Sequence, residues 1–88
     1  MRTFELSPIY DSRKSFYGKA EIIKDGNTIK LQSYDTIVAE YEPMTGNLKI
    51  NGSYTSTTAR HINEFICQYA TKYVRMNKKE MEQFANQH

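Results

Sequence analysis

His61, Cys67 and the hydroxyl run Thr55, Ser56, Thr57 and Thr58 are the side chains of this chain best equipped for chemistry, as base, nucleophile and anion ligands. A nucleophile and its base must come within hydrogen-bond reach of one another. His61 and Cys67 fall on what reads as one helix, about 240° apart around its axis at about 100° per residue, so they cannot form a dyad there. The carboxylates Asp35, Glu40, Glu42 and Glu64 show no spacing that singles out an acid and a base, and His88 is the last residue. Two histidines without Cys or carboxylate partners at ligand spacing do not make a metal site. Gly18, Gly26, Gly46 and Gly52 are dispersed, as turns and bulges require, and form no phosphate loop. Cys67 reads as a small half-buried thiol. The expectation is a protein that is not an enzyme, with no catalytic residue, metal or cofactor.

Two binding constellations remain. The first is the start of the predicted long helix, where free N–H groups and the positive end of the helix dipole meet Thr55, Ser56, Thr57, Thr58, Arg60 and His61, with no acidic residue before Glu64. This group suits a phosphate or a partner's carboxylate. The plainer alternative is that the hydroxyls only cap the helix, Arg60 is solvated and His61 packs beside the sheet. The second combines Tyr17, Tyr34 and Tyr54 with Lys19, Lys30 and Lys49, an aromatic and basic set of the kind that stacks single-stranded bases on a sheet. No ribonucleoprotein signature accompanies it, and tyrosines also rim small cores and protein interfaces. Lys72, Arg75, Lys78 and Lys79 form a basic run, which is more often a solvated face than a phosphate patch.

The elements that must position these groups follow from periodicity. Residues 1–17 read as an N-terminal arm or edge strand and a loop; residues 18–52 as an antiparallel sheet; residues 56–88 as the helical part of a single domain, 1–88. Apolar and polar residues alternate between Lys19 and Ile50, the period of half-buried strands. Asp25-Gly26-Asn27 turns one hairpin, with Ile29 and Leu31 on one face of the next strand. From Thr36 to Glu42 the alternation puts Ile37, Ala39 and Tyr41 on one face and Val38, Glu40 and Glu42 on the other. Pro43 ends that run, and Met44-Thr45-Gly46-Asn47 turns to Leu48 and Ile50. Asn51-Gly52 is a further turn, and Asn51-Gly52-Ser53 matches a glycosylation acceptor that has no consequence without secretion. The spacing of Thr58, Ile62, Phe65, Ile66, Tyr69 and Tyr73 then predicts a long helix covering the sheet. Asn77 and Glu80 have capping-box spacing, predicting a short last helix from about Lys78 to Asn86 with a thin apolar face of Met81, Phe84 and Ala85. The fold class is α+β: a small antiparallel meander of about four strands under a long helix, plus a short one.

With 88 residues and a formal charge of +2, the chain has room for one small core and no deep cleft, and it is neither a strongly basic histone-like binder nor an acidic DNA mimic. A lone cysteine and the lack of an apolar leader point to a reducing, cytoplasmic setting, and no run reaches the roughly 18 apolar residues of a membrane helix. A homodimer is compatible with the small core and the edge strand.

The stretches Ser12-Arg13-Lys14-Ser15-Phe16-Tyr17-Gly18-Lys19-Ala20, Leu31-Gln32-Ser33-Tyr34-Asp35-Thr36-Ile37-Val38-Ala39 and Thr55-Ser56-Thr57-Thr58-Ala59-Arg60-His61-Ile62-Asn63-Glu64-Phe65 together resemble a family of small proteins of unknown function carried by phages and mobile elements of Gram-positive bacteria. The likeness spans Ser12 to Tyr69, and the family often has Ser where this chain has Thr55. The resemblance implies an accessory protein from a context rich in non-catalytic inhibitors of host defence, anti-CRISPR proteins among them, and supplies no catalytic residue. The leading expectation is therefore a binding module that blocks a host protein or protein–nucleic acid complex. The alternative is direct nucleic-acid binding through the aromatic and basic sheet face.

Overall fold

The computed structural model describes residues 2–11, 15–16, 18–51 and 55–87, with residues 86 and 87 in backbone only. Its order is β1 (Arg2–Glu5), β2 (Ala20–Asp25), β3 (Thr28–Ser33), β4 (Thr36–Glu42), β5 (Asn47–Ile50), α1 (Ser56–Gln68) and α2 (Lys78–Gln87). The fold is α+β, a five-stranded antiparallel meander in sequence order with both helices following the sheet. The fifth strand is the N-terminal segment: Phe4 pairs with Ile22 and Thr3 with Ile23, so the arm joins the sheet as its edge.

Turn chemistry sets each hairpin. Gly26 adopts φ +61 between β2 and β3, where a side chain would be strained. The two-residue turn after β3 instead places Tyr34 at φ 57, a conformation uncommon for an aromatic residue. It is braced from both outside and within the hairpin, because the Tyr34 N–H donates to the Lys19 carbonyl at 2.8 Å and its own carbonyl accepts from Gln32 Nε2 of β3 at 3.0 Å. Gly46, at φ +75, closes the β4–β5 turn beneath the ammonium end of Lys72, and the Tyr73 hydroxyl donates to its carbonyl.

One face of the sheet carries the core. Ala20, Ile22, Leu31, Ala39, Leu48 and Ile50 are buried with Ala59, Ile62, Phe65 and Ile66 of α1 and with Met81 of α2. Strict alternation assigns Val38 to the opposite face, yet it is buried beside Ala39. The register explains this: Leu31 pairs with Ala39 but Gln32 pairs with Ile37, so Val38 is the extra residue of a β-bulge. The bulge turns Val38 inward, which two-residue periodicity alone cannot foresee.

Thr55 caps α1, its hydroxyl accepting from the Thr58 N–H at 3.1 Å. Thr55→Ala is expected to lower stability by about 1 kcal/mol, seen as a reduced urea midpoint at unchanged slope. The helix ends at Gln68 with Tyr69 as its cap, short of Tyr73. The apolar spacing through Tyr73 overstated its length, because Tyr73 turns back on Ala70 and stacks edge-on against Phe84 of α2, with ring centroids 5.9 Å apart. Asn77 and Glu80 form the reciprocal capping box, with Asn77 Oδ1 accepting at 2.8 Å and Glu80 Oε1 at 2.9 Å. Thin as its apolar face is, α2 packs against β5 and fully buries Met81.

Candidate functional site

At the start of α1 the predicted anion ligands diverge. Thr55 is engaged as the cap, Ser56 is exposed and Thr57 is half-buried. Thr58 and His61 point inward, at 4% and 1% exposure. The Ser33 hydroxyl of β3 lies 2.8 Å from His61 Nδ1 and 3.2 Å from Thr58 Oγ1, joining helix to sheet through a buried polar cluster. Phe16 packs edge-on against the imidazole at 4.6 Å. A solvent-open depression of about 180 Å³ lies beside this cluster, lined by Ser33, Tyr34, Thr36, Val38, Thr55 and Thr58. Arg60 turns away from all of this, to Asp11.

The aromatic and basic set is likewise divided. Lys30 and Lys49 both project from the sheet face opposite the helices, where the register sets Glu40 between them. That outer face also carries Glu5, Glu21, Asp25 and Glu42, so among the described residues its carboxylates outnumber its ammonium groups, and no aromatic ring stands on it. Lys19 and Tyr34 meet at one end of the sheet, the ammonium 5.4 Å from the ring centroid. Tyr17, Tyr54 and the Asn51-Gly52-Ser53 acceptor fall wholly or partly outside the described residues. Of the other tyrosines, Tyr41 and Tyr69 pack on the helix side of the sheet. Burial pushes the Tyr69 phenol above its ordinary pKa, with Lys24 5.7 Å from its ring.

The residues that sequence reasoning missed lie across the exposed side of α1. Glu64 is 2% exposed, and its carboxylate accepts the backbone N–H groups of Ile9 at 3.1 Å and Tyr10 at 3.0 Å, with the Gln68 amide as a further donor. Gln68 also donates to the Ser7 carbonyl at 2.8 Å. The N-terminal segment is thereby clamped along one flank of the helix. Along the other flank, Asn63 makes a two-way amide clamp, accepting from the Met76 N–H and donating to the Met76 carbonyl, both at 2.8 Å. Between the two clamps Arg60 Nη1 donates to Asp11 at 3.0 Å, the aspartate side chain being only 6% exposed. Tyr10, Asp11, Arg60 and Arg75 line an open depression of about 480 Å³.

Tyr10, in this lining, is 56% exposed, and the residues next to Tyr10 and Arg75 in the chain, Ile9 at 69% and Val74 at 76%, are exposed apolar groups as well. Tyrosine and arginine beside apolar groups on a fixed backbone make the composition of an interface centre. The basic run also separates here, for Arg75 faces this depression while Lys72 lies over the Gly46 turn. A signal was present in the sequence, an Ile9-Tyr10 pair just after Pro8 in an otherwise polar stretch, but nothing local joined it to Arg60 or Arg75.

Among the described residues no cluster of His, Cys, Asp and Glu could hold a metal, and no helix is long and apolar enough to cross a membrane. No curated protein and no solved structure matches the chain. The profile of a family of unknown function, DUF8033, matches residues 4–83, which takes in the second half of β1, β2 to β5, α1 and the first half of α2. The chain therefore belongs to the DUF8033 family of unknown function.

Proposed function

We propose that the protein is a non-enzymatic binding module of a phage or mobile element, acting in the bacterial cytoplasm by occupying a surface of a host protein or protein–nucleic acid complex, in the manner of an anti-defence or anti-CRISPR inhibitor. The observation that carries this reading is the depression in which Tyr10, on a segment clamped by Glu64, lies with Arg60 and Arg75, with exposed Ile9 and Val74 next to Tyr10 and Arg75 in the chain. A small domain gains little by leaving Ile9, Tyr10 and Val74 in water, and the Glu64 clamp on the Ile9 and Tyr10 backbone lowers the entropy lost when a partner covers them. The alternative, nucleic-acid binding through the sheet, has less support, since the outer face pairs Lys30 and Lys49 with an excess of carboxylates that would repel phosphates.

The test is capture of tagged protein's partners from a Gram-positive host lysate with and without nuclease, beside a Tyr10→Ala variant. One host protein retained in stoichiometric amount after nuclease, bound about tenfold more weakly by Tyr10→Ala, is the expected result. Recovery that disappears with the nucleic acid, or that Tyr10→Ala leaves unchanged, would overturn the reading.

A further inference from the structure

We infer that the Arg60–Arg75 depression is a carboxylate-binding subsite, and that the partner contributes a protein segment with one or two Asp or Glu side chains flanked by apolar residues. The inference rests on the proposed role as a binding module and specifies the chemistry its partner presents there.

Charge complementarity is the first argument. The described lining holds two guanidinium groups and one carboxylate, and that carboxylate is already engaged: Asp11 accepts from Arg60 and is almost out of solvent. Arg60 is thus held in place, with 43% of its side chain still exposed, and Arg75 stands exposed across the depression. A guanidinium pins a planar carboxylate with two parallel hydrogen bonds, and one that is already oriented loses less freedom in doing so.

The surroundings decide between a carboxylate and a nucleic-acid phosphate. Tyr10 in the lining, with exposed Ile9 and Val74 next to Tyr10 and Arg75 in the chain, offers apolar contact, which suits side chains next to an Asp or Glu and does nothing for a charged backbone. A nucleic-acid strand would need several cations along its path, whereas among the described residues of the lining Asp11 offsets part of the charge, and Lys72 lies away over the Gly46 turn. The site is therefore matched to a few negative charges within an apolar segment.

The experiment is a nitrogen-15 chemical-shift titration of the whole protein with acetyl-Phe-Glu-Glu-Leu-amide, its Gln-Gln counterpart and a short oligothymidylate. The expected outcome is saturable shifts centred on Tyr10, Asp11, Arg60 and Arg75 with the Glu peptide, and about tenfold weaker binding of the Gln peptide. Arg75→Gln, at an exposed position outside the core, is expected to keep the wild-type spectrum and to weaken the Glu peptide by a similar factor. Three results would each overturn the proposal: no shifts at these residues up to about 10 mM peptide, equal binding of the Gln peptide, or tighter binding of oligothymidylate at the same residues. If Tyr10→Ala loses the lysate partner while Arg75→Gln leaves both partner and peptide binding intact, the carboxylate subsite falls and the binding platform stands.

Discussion

Glu64→Ala is expected to destabilise the protein by about 3 kcal/mol and to free the segment around Ile9 and Tyr10 from α1. The carboxylate is buried and accepts from two backbone amides and the Gln68 side chain, so its removal orphans several donors at once. Those donors recover water only if the segment lifts, which exposes the flank of α1 it covers and undoes the bond from Arg60 to Asp11. Glu64→Gln keeps one acceptor oxygen and turns the other position into a donor facing N–H groups, so an intermediate loss is expected. Urea unfolding measures the first effect and amide exchange at Ile9 and Tyr10 the second. A stability change below about 0.5 kcal/mol with both amides still protected would show that the clamp contributes nothing. Because the platform depends on this clamp, Glu64→Ala is also expected to weaken partner binding without touching the partner.

His61→Ala carries a comparable expected loss, about 3 kcal/mol, for a different reason. The imidazole fills space against Phe16 and makes a shorter contact with the Ser33 hydroxyl than Thr58 does, so truncation leaves both a cavity in the core and a weakened polar cluster. A double-mutant cycle with Ser33→Ala separates the two contributions. The pair should couple by about 1 kcal/mol if the 2.8 Å contact matters beyond packing, and strictly additive losses would reduce His61 to a space filler. Either substitution should leave a platform variant such as Tyr10→Ala with its own, independent effect on binding, because the cluster and the platform occupy different sides of α1.

The sheet was legible in the sequence because hairpins are local. Alternation and turn residues identified β2 to β5, with Thr36–Glu42 matching β4 to the residue, and Asn77 with Glu80 announced α2, since a capping box needs only three residues of separation. The same locality explains the errors. Val38 turned inward because of a register shift against β3, a property of two strands together, and α1 stopped before Tyr73 because Tyr73 has Gly46 and Phe84 to meet.

The candidate site divides along the same line. That hydroxyls cap α1 follows from Thr55 and its neighbours alone, but the inward turn of Thr58 and His61 depends on Ser33, which is distant in the chain. Helical periodicity puts Glu64 off the apolar stripe, where a charge reads as solvated; it is buried because a segment more than fifty residues earlier lies across it. By itself, then, the sequence determined the period of each element, its turns and its caps, all set by backbone and side-chain preferences within a few residues. Only the tertiary structure decided which polar groups are consumed inside and which apolar ones are left to meet a partner, because burial depends on contacts between segments that no local pattern encodes.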